Sequence, residues 1–357
     1  MTTGSRRRPG RGVSMADVAR LAGVSSQTVS RVANGHPSVV ESTRQQVLAA
    51  MQQLGYRPNS AARALKRGEF RTLGVILFTL ATTGNSRTVE AIAAHAAQQG
   101  YAITLIPVAV PTQDGLLGAF TRLGELAVDG VVVIMEVHLL DAANLTLPPG
   151  MQVVVVDSDA GERYPVVDTD QADGARQATR HLLELGHETV WHVSGPAESF
   201  AAGRRTQAWA ETLLAAGRAV PPPQLGDWTA ESGYRAGLVL AADPSCTAIF
   251  AANDQMALGV LRALHERGRA IPGEVSVVGF DDLADSHAFF PPLTTVHQDF
   301  AEVGRRCVDG LLRQIRDQPG RLDQPGQLDQ PGHPGTDLVP TRLVVRDSTA
   351  PPPAPPR

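Results

Sequence analysis

Between residues 72 and 310 the chain alternates short, unbroken runs of Val, Ile and Leu with amphipathic stretches of helical period. The runs fall at 73–78, 102–108, 130–135, 152–156, 189–193, 247–251 and 275–280, and helical stretches at 89–99, 172–185, 204–216 and 255–267 lie between them. A strand apolar at every position is buried on both faces, which requires a parallel sheet covered by helices on both sides. The alternation therefore predicts an open α/β fold. At more than 230 residues it is too large for one core, so two stacked subdomains are expected. A last strand is predicted at 342–346, after a repeat in which Asp-Gln-Pro-Gly recurs from Asp317, Asp323 and Asp329. Those Pro-Gly steps have little to bury and read as a low-complexity insert, 317–336.

Charge divides the chain differently. The formal net charge is -4, but residues 1–71 hold 12 Lys or Arg against 3 Asp or Glu, a net of +9. The rest holds 20 against 33, a net of -13. A basic head of this kind is the electrostatic footprint of a polyanion-binding segment. Residues 1–13, with Arg6, Arg7, Arg8 and Arg11 among Gly and Pro, read as a disordered basic arm. Ser14 and Asp17 then have the spacing of a helix N-terminus, with Val18, Leu21 and Ala22 on one face. Gly23 supplies a tight turn, Ser25 caps a second helix, and Val29 and Val32 give it a buried face. A third helix, Glu41–Leu54, would bury Val47, Leu48, Met51 and Leu54. Two short helices about a glycine turn have the form of a helix-turn-helix. The exposed face of the second presents Ser26, Gln27, Thr28, Ser30, Arg31 and Asn34. No acid occurs from Val18 to Val40, whereas an ordinary solvated face mixes both signs. Gln pairs bidentately with adenine and Arg with guanine in the major groove.

These residues carry a resemblance. Asp17-Val-Ala-Arg-Leu-Ala-Gly-Val-Ser25, Gln27-Thr-Val-Ser-Arg-Val32, Asn34-Gly35 and Leu54-Gly-Tyr-Arg-Pro-Asn59 resemble the LacI/GalR family of bacterial transcription regulators. The resemblance assigns base contacts to Ser26, Gln27 and Arg31. It assigns phosphate contacts to Ser25, Thr28, Ser30, Asn34, Thr43, Tyr56 and Asn59. Val40 departs from it, standing where the family usually caps its third helix with Ser, a loss of about 1 kcal/mol. Asn59-Ser-Ala-Ala-Arg-Ala-Leu-Lys66 resembles the family's hinge helix, which implies a minor-groove role for Ala62, Leu65 and Lys66, with Leu65 wedged into a base step.

For the acidic part the resemblance implies a body like a periplasmic binding protein, two doubly wound subdomains around a cleft. In such sheets ligands lie beyond the carboxyl ends of strands. Gly226-Asp-Trp-Thr-Ala-Glu-Ser-Gly233, Ala252-Asn-Asp-Gln-Met-Ala-Leu-Gly259, Ser276-Val-Val-Gly-Phe-Asp-Asp282 and Pro291-Pro-Leu-Thr-Thr-Val-His-Gln-Asp-Phe300 resemble its sugar-responsive members. By position, Arg205, Asn253 and Asp281 would grip sugar hydroxyls and Trp228 would stack on a sugar face, with Thr79, Asp157, Gln298 and Phe300 completing the pocket. Planar polar groups suit vicinal hydroxyls, and leaving them buried without partners is costly, so they discriminate. Each has a plainer use as well: Asn253, Asp281 and Asp282 as helix caps, Trp228 as core, Arg205 as half of a surface ion pair.

The expected organisation is a helix-turn-helix head at 14–58, a hinge and linker at 59–71, and a two-lobed ligand-binding and dimerisation body at 72–346. Lobe one takes about 72–170 plus a return segment after 295, lobe two about 171–292 plus the last strand, and 347–357 is a Pro-rich tail. The expected partners are operator double-stranded DNA, a small-molecule effector, and a second copy of the chain; residues 347–357 contain no Leu from which to build a tetramerising heptad helix. No cofactor or metal is expected: Cys246 and Cys307 are too few for a zinc framework, and His181 and His187 read as six apart on one helix. Hydrolase, metalloprotease and nucleotide-binding motifs are missing, which argues against an enzyme. A secreted sugar-binding protein would explain the body but not residues 14–66. No apolar run approaches the ~20 residues that span a bilayer, and the N-terminus lacks a signal-peptide core, so a cytoplasmic, nucleoid-associated protein is expected. A corepressor-responsive regulator, purine-binding in another branch of the same family, stays open beside the sugar reading.

Overall fold

A computed structural model describes residues 13–34, 36–56, 69–109, 112–135, 151–160, 163–317 and 335–353. The chain divides into two compact units, Met1–Phe70 and Arg71–Arg357. In the first, α1 (Met15–Leu21), α2 (Ser26–Ala33) and α3 (Glu41–Leu54) enclose a small core of Val18, Ala22, Val29, Val47 and Met51. A capping box opens α1: the Ser14 hydroxyl accepts from the Asp17 amide, and the Asp17 carboxylate accepts from the Ser14 amide at 3.0 Å. Gly23 takes φ +64°, which lets the chain reverse into α2. Ser25 caps α2 by accepting from the Thr28 amide at 3.1 Å. Val40 begins α3 with no side-chain cap, as its residue type dictates. Leu48 corrects the expected core: it is 44% exposed, because 47, 50, 51 and 54 share a helix face and 48 is turned away from it.

The second unit contains two six-stranded sheets. The strands of the first are β1 (Thr72–Leu77), β2 (Ala102–Pro107), β3 (Gly130–Ile134), β4 (Gln152–Val156), β5 (Pro165–Thr169) and β11 (Gly335–Val339), ordered β11-β5-β4-β3-β1-β2. Those of the second are β6 (Trp191–Ser194), β7 (Gln224–Leu225), β8 (Ala248–Ala251), β9 (Ser276–Asp281), β10 (Thr294–His297) and β12 (Arg342–Val344), ordered β12-β10-β9-β8-β6-β7. All pairings are parallel except β12 with β10. In each sheet the order reverses beside the first strand, between β1 and β3 and between β6 and β8, which is the switch point where open α/β sheets bind ligands. Helices cover both faces: α4 (Thr83–Gln98), α5 (Gln113–Glu125) and α10 (Phe300–Arg316) on the first sheet, α6 (Gln171–Glu184), α7 (Phe200–Ala215), α8 (Ala230–Ala241) and α9 (Asp254–Glu266) on the second. Alternate residues of the runs serve opposite cores. Val132 and Ile134 pack with Leu311 and Ile315 of α10, whereas Val131 and Val133 pack with Phe120 and Leu123 of α5.

The chain crosses between the sheets three times: from β5 to α6, from β10 to α10, and from β11 to β12. Four strands lie outside the apolar runs. β5 has only two central valines, β7 is two residues long, β10 reads Thr-Thr-Val-His, and β11 starts within the stretch read as an insert. The remainder of that insert, and with it the last two Asp-Gln-Pro-Gly repeats, lies outside the described residues. His187 also differs from expectation. It lies beyond α6, its Nδ1 3.0 Å from the Thr247 hydroxyl, and so shares no helix with His181.

Candidate functional site

In the head, α2 turns Val29 and Val32 inward and leaves Ser26, Gln27, Arg31 and Asn34 exposed, with the capping Ser25 beside them. Thr28, Ser30, Thr43 and Tyr56 are half-buried. The Ser25 and Thr28 hydroxyls lie 2.9 Å apart, and the Asn34 amide donates to the Ser30 hydroxyl at 3.3 Å. The result is a short polar ridge without a carboxylate. Asn59, Ala62, Leu65 and Lys66 lie outside the described residues.

In the body a cleft opens at the carboxyl ends of both sheets, where such folds bind small ligands. Asp157 follows β4, Asn253 follows β8, Asp281 ends β9 and Gln298 follows β10; all four line the cleft. Trp228 enters from the loop after β7, Arg205 from α7 and Phe300 from the start of α10. Asp157, Trp228 and Asp281 have φ of +54°, +71° and +117°, a region costly for side-chain-bearing residues and concentrated at binding sites.

The polar groups form a circuit. Arg205 donates from Nε to Gln171 Oε1 at 2.8 Å and from Nη1 to the Ala252 carbonyl. Its Nη1 lies 3.8 Å from Asp281 Oδ1. Gln298 donates to that same oxygen at 2.6 Å, and Gln171 donates to Gln298 at 3.3 Å. The guanidinium carbon stands 3.7 Å from the Phe280 ring centroid and 5.5 Å from that of Trp228. Burial pushes the Asp281 carboxyl up to about 7, against the pull of Arg205. Asn253 caps α9, accepting from the Met256 amide at 2.8 Å, while its amide donates to the Trp228 carbonyl at 3.0 Å. The capping role and the cleft role are thus one arrangement. Such a circuit fixes donors and acceptors in set planes beside an indole face.

Residues 14–59 match the family described as bacterial regulatory proteins, lacI family, and residues 179–349 match the periplasmic binding protein-like domain. The lactose operon repressor of Klebsiella pneumoniae is 35% identical over 348 residues, 96% of this chain and 94% of that protein. This chain belongs to the LacI family. It is a DNA-binding transcriptional repressor by class. The HTH-type transcriptional repressor PurR of Haemophilus influenzae is 32% identical over 307 residues, 84% of this chain and 90% of that one. Among solved structures, the lac repressor dimer bound to operator and the anti-inducer ONPF aligns with a TM-score of 0.80 and 32% identity, covering 95% of this chain and 100% of that one. The complex of the transcriptional regulator CelR with cellobiose aligns at 0.66 and 30%, covering 94% and 99%.

Within this LacI-family body one expected pocket residue is misplaced. Thr79 does not line the cleft. β1 ends at Leu77, and Thr79 shapes the following turn, its hydroxyl accepting from the Ala81 amide at 3.0 Å and its carbonyl from Asn85 Nδ2 at 2.8 Å. Asn85 and Thr83, from the start of α4, line the cleft instead. Asp168, Thr169 and Gln171 line it too and were not foreseen, because β5 was not legible as a strand. Among the described residues no group of His, Cys, Asp and Glu is arranged to hold a metal ion, and no helix is long and apolar enough to cross a membrane.

Proposed function

We propose that the chain acts as a homodimer on a near-palindromic operator and is released from it by a small sugar bound in the body's cleft. The observation that carries the effector class is the Arg205–Asp281–Gln298–Gln171 circuit beside Trp228. Buried polar groups of this kind gain most from a ligand that returns a hydrogen bond to each, and vicinal hydroxyls do so. The relatives support the reading: one is held with operator and an anti-inducer, another with cellobiose. On the DNA side, Ser26, Gln27 and Arg31 read bases from the major groove, and residues such as Ser25, Thr28 and Asn34 set the register on phosphates. Asn59, Ala62, Leu65 and Lys66 belong to the hinge that enters the minor groove. The two-fold axis of the dimer then fixes operator symmetry.

Sugar and operator compete through the same equilibrium, so each weakens the other by the same factor. A gel shift on the operator of this chain, run with galactosides, cellobiose, glucose and hypoxanthine, tests the mechanism. Release by at least one sugar is expected. Operator affinity unmoved by every sugar, or strengthened by hypoxanthine, overturns the inducer reading.

A further inference from the structure

Asp168 and Arg204 form an ion pair that spans the two sheets. Asp168 sits on β5 of the first sheet, lines the cleft and is 2% exposed. Arg204 sits on α7, against the second sheet. Its Nη1 donates to the Asp168 carboxylate, and its Nη2 donates to the Ser158 carbonyl at 3.0 Å and to the Asp159 carboxylate. The other Asp168 oxygen accepts from the Thr169 amide at 2.7 Å. Two consecutive arginines thus divide the work. Arg205 faces the cleft, whereas Arg204 is withdrawn from it onto carboxylates of the first lobe. Among the described residues lining the cleft, the charged side chains are Asp157, Asp168, Asp281 and Arg205. Arg205 is the single cation, and Asp281 lies against it. Arg204 bonds Asp168 from behind and does not itself line the cleft.

We infer that Asp168 is a specificity-determining residue, and that with Asp157 and Asp281 it confines the effector to sugars without an acidic group, excluding uronates and sugar phosphates. This rests on the sugar reading proposed above. A carboxylate or phosphate brought into the cleft meets Asp157, Asp168 and Asp281, with Arg205, already set against Asp281, as the one guanidinium facing it, and like charges so placed repel. A neutral sugar instead donates hydroxyl hydrogens to Asp168, whose carboxylate is already fixed in direction by Thr169 and Arg204.

The test is calorimetric titration of the full chain with matched pairs: galactose against galacturonate and galactose 6-phosphate, glucose against glucuronate and glucose 6-phosphate. Where the neutral member binds, its acidic partners are expected to bind at least ~100-fold more weakly. Asp168→Asn removes one opposing charge and should narrow that ratio by about tenfold. Arg204→Gln withdraws the cation that keeps the buried Asp168 carboxyl ionised, so it should narrow the ratio at neutral pH and widen it again as the pH is raised. A merely structural pair would weaken every sugar alike in both variants at every pH, so a ratio that moves, and that in Arg204→Gln moves with pH, is the signature. Arg204→Gln keeps the inference testable should Asp168→Asn fail to fold. An acidic sugar binding as tightly as its neutral partner, or a ratio unmoved by both variants, overturns the inference and leaves the sugar reading standing. No binding by any sugar, neutral or acidic, overturns both.

Discussion

Asp281 concentrates the chemistry of the cleft in one side chain. It ends β9 with φ of +117°, is buried, and is approached by Arg205 and Gln298. Burial and the neighbouring Asp254 carboxylate raise its pKa to about 7, while Arg205 and Gln298 oppose the rise. Because the folded-state value lies above the unfolded one, the folded protein binds the extra proton. This group's contribution to stability is therefore full below about pH 4 and is lost as pH climbs through about 7. Sugar hydroxyls donate best to the ionised carboxylate, so effector affinity should rise over the same interval, from about pH 6 to 8. Titration of the chain at several pH values with a sugar found to bind the cleft checks this. Asp281→Asn should flatten the dependence and bind the sugar at least tenfold more weakly, as expected for the loss of one charged hydrogen bond of ~1.5–3 kcal/mol. Asp281 was legible in the sequence because it closes an unbroken apolar run, and a polar residue there can only sit at a strand end. Asp157 and Asn253 were legible for the same reason. Asp168 was not, since Val166 and Val167 alone do not announce a strand. Thr79 misled because the apolar run outlasts β1 by one residue and the chain then turns.

Among the elements, α3 and the α8–α9 pair show where local rules are obeyed and where they are strained. α3 spans Glu41–Leu54, as its apolar spacing and Gly55 predict, yet starts on Val40 with no cap. Val40→Ser should restore an acceptor for the first-turn amides and stabilise the head by about 1 kcal/mol. Slower hydrogen exchange in α3 would register it, with the α2 ridge and operator preference unchanged. α8 and α9 are held together by glycines. A Cβ on Gly259 would lie 1.9 Å from the Ala230 carbonyl oxygen and 2.5 Å from the Tyr234 nitrogen, both backbone atoms that cannot step aside. Gly259→Ala should therefore force the helices apart and cost about 1–3 kcal/mol, the range for overpacking. Because Asn253 and Trp228 are bonded to each other at the ends of these two helices, sugar binding should fall as well. Chemical unfolding and titration measured together would show both losses. A variant with native stability would mean the contact relaxes more easily than its backbone atoms suggest. α8 lies outside the helical stretches legible in the sequence: Ser232, Gly233, Ala236, Gly237 and Ala241 make up its buried face with Leu240 as the one large apolar residue, so a closely packed face shows little hydrophobic pattern.

At the scale of the whole molecule, the division of charge becomes a division of labour. The head carries +9 and the rest -13, so attraction to DNA is confined to the end that reads it and the body is repelled by phosphates. Four of the 12 basic residues in that head are Arg6, Arg7, Arg8 and Arg11, ahead of α1. The hydroxyls and amides of the α2 ridge carry no charge and release no counterions, so salt dependence must come from arginines and Lys66. If the arm's arginines lie on phosphates, each contributes about 0.9 to the slope of log affinity against log salt. Deleting residues 2–13 should thus reduce the slope by up to about 3.6 per head, lowering affinity equally for operator and unrelated DNA. Discrimination between them should persist, because Ser26, Gln27 and Arg31 remain. Filter binding over a range of salt concentrations measures both quantities. An unchanged slope would place the arm away from the phosphates and leave the head's remaining arginines and Lys66 as the whole of its electrostatic grip.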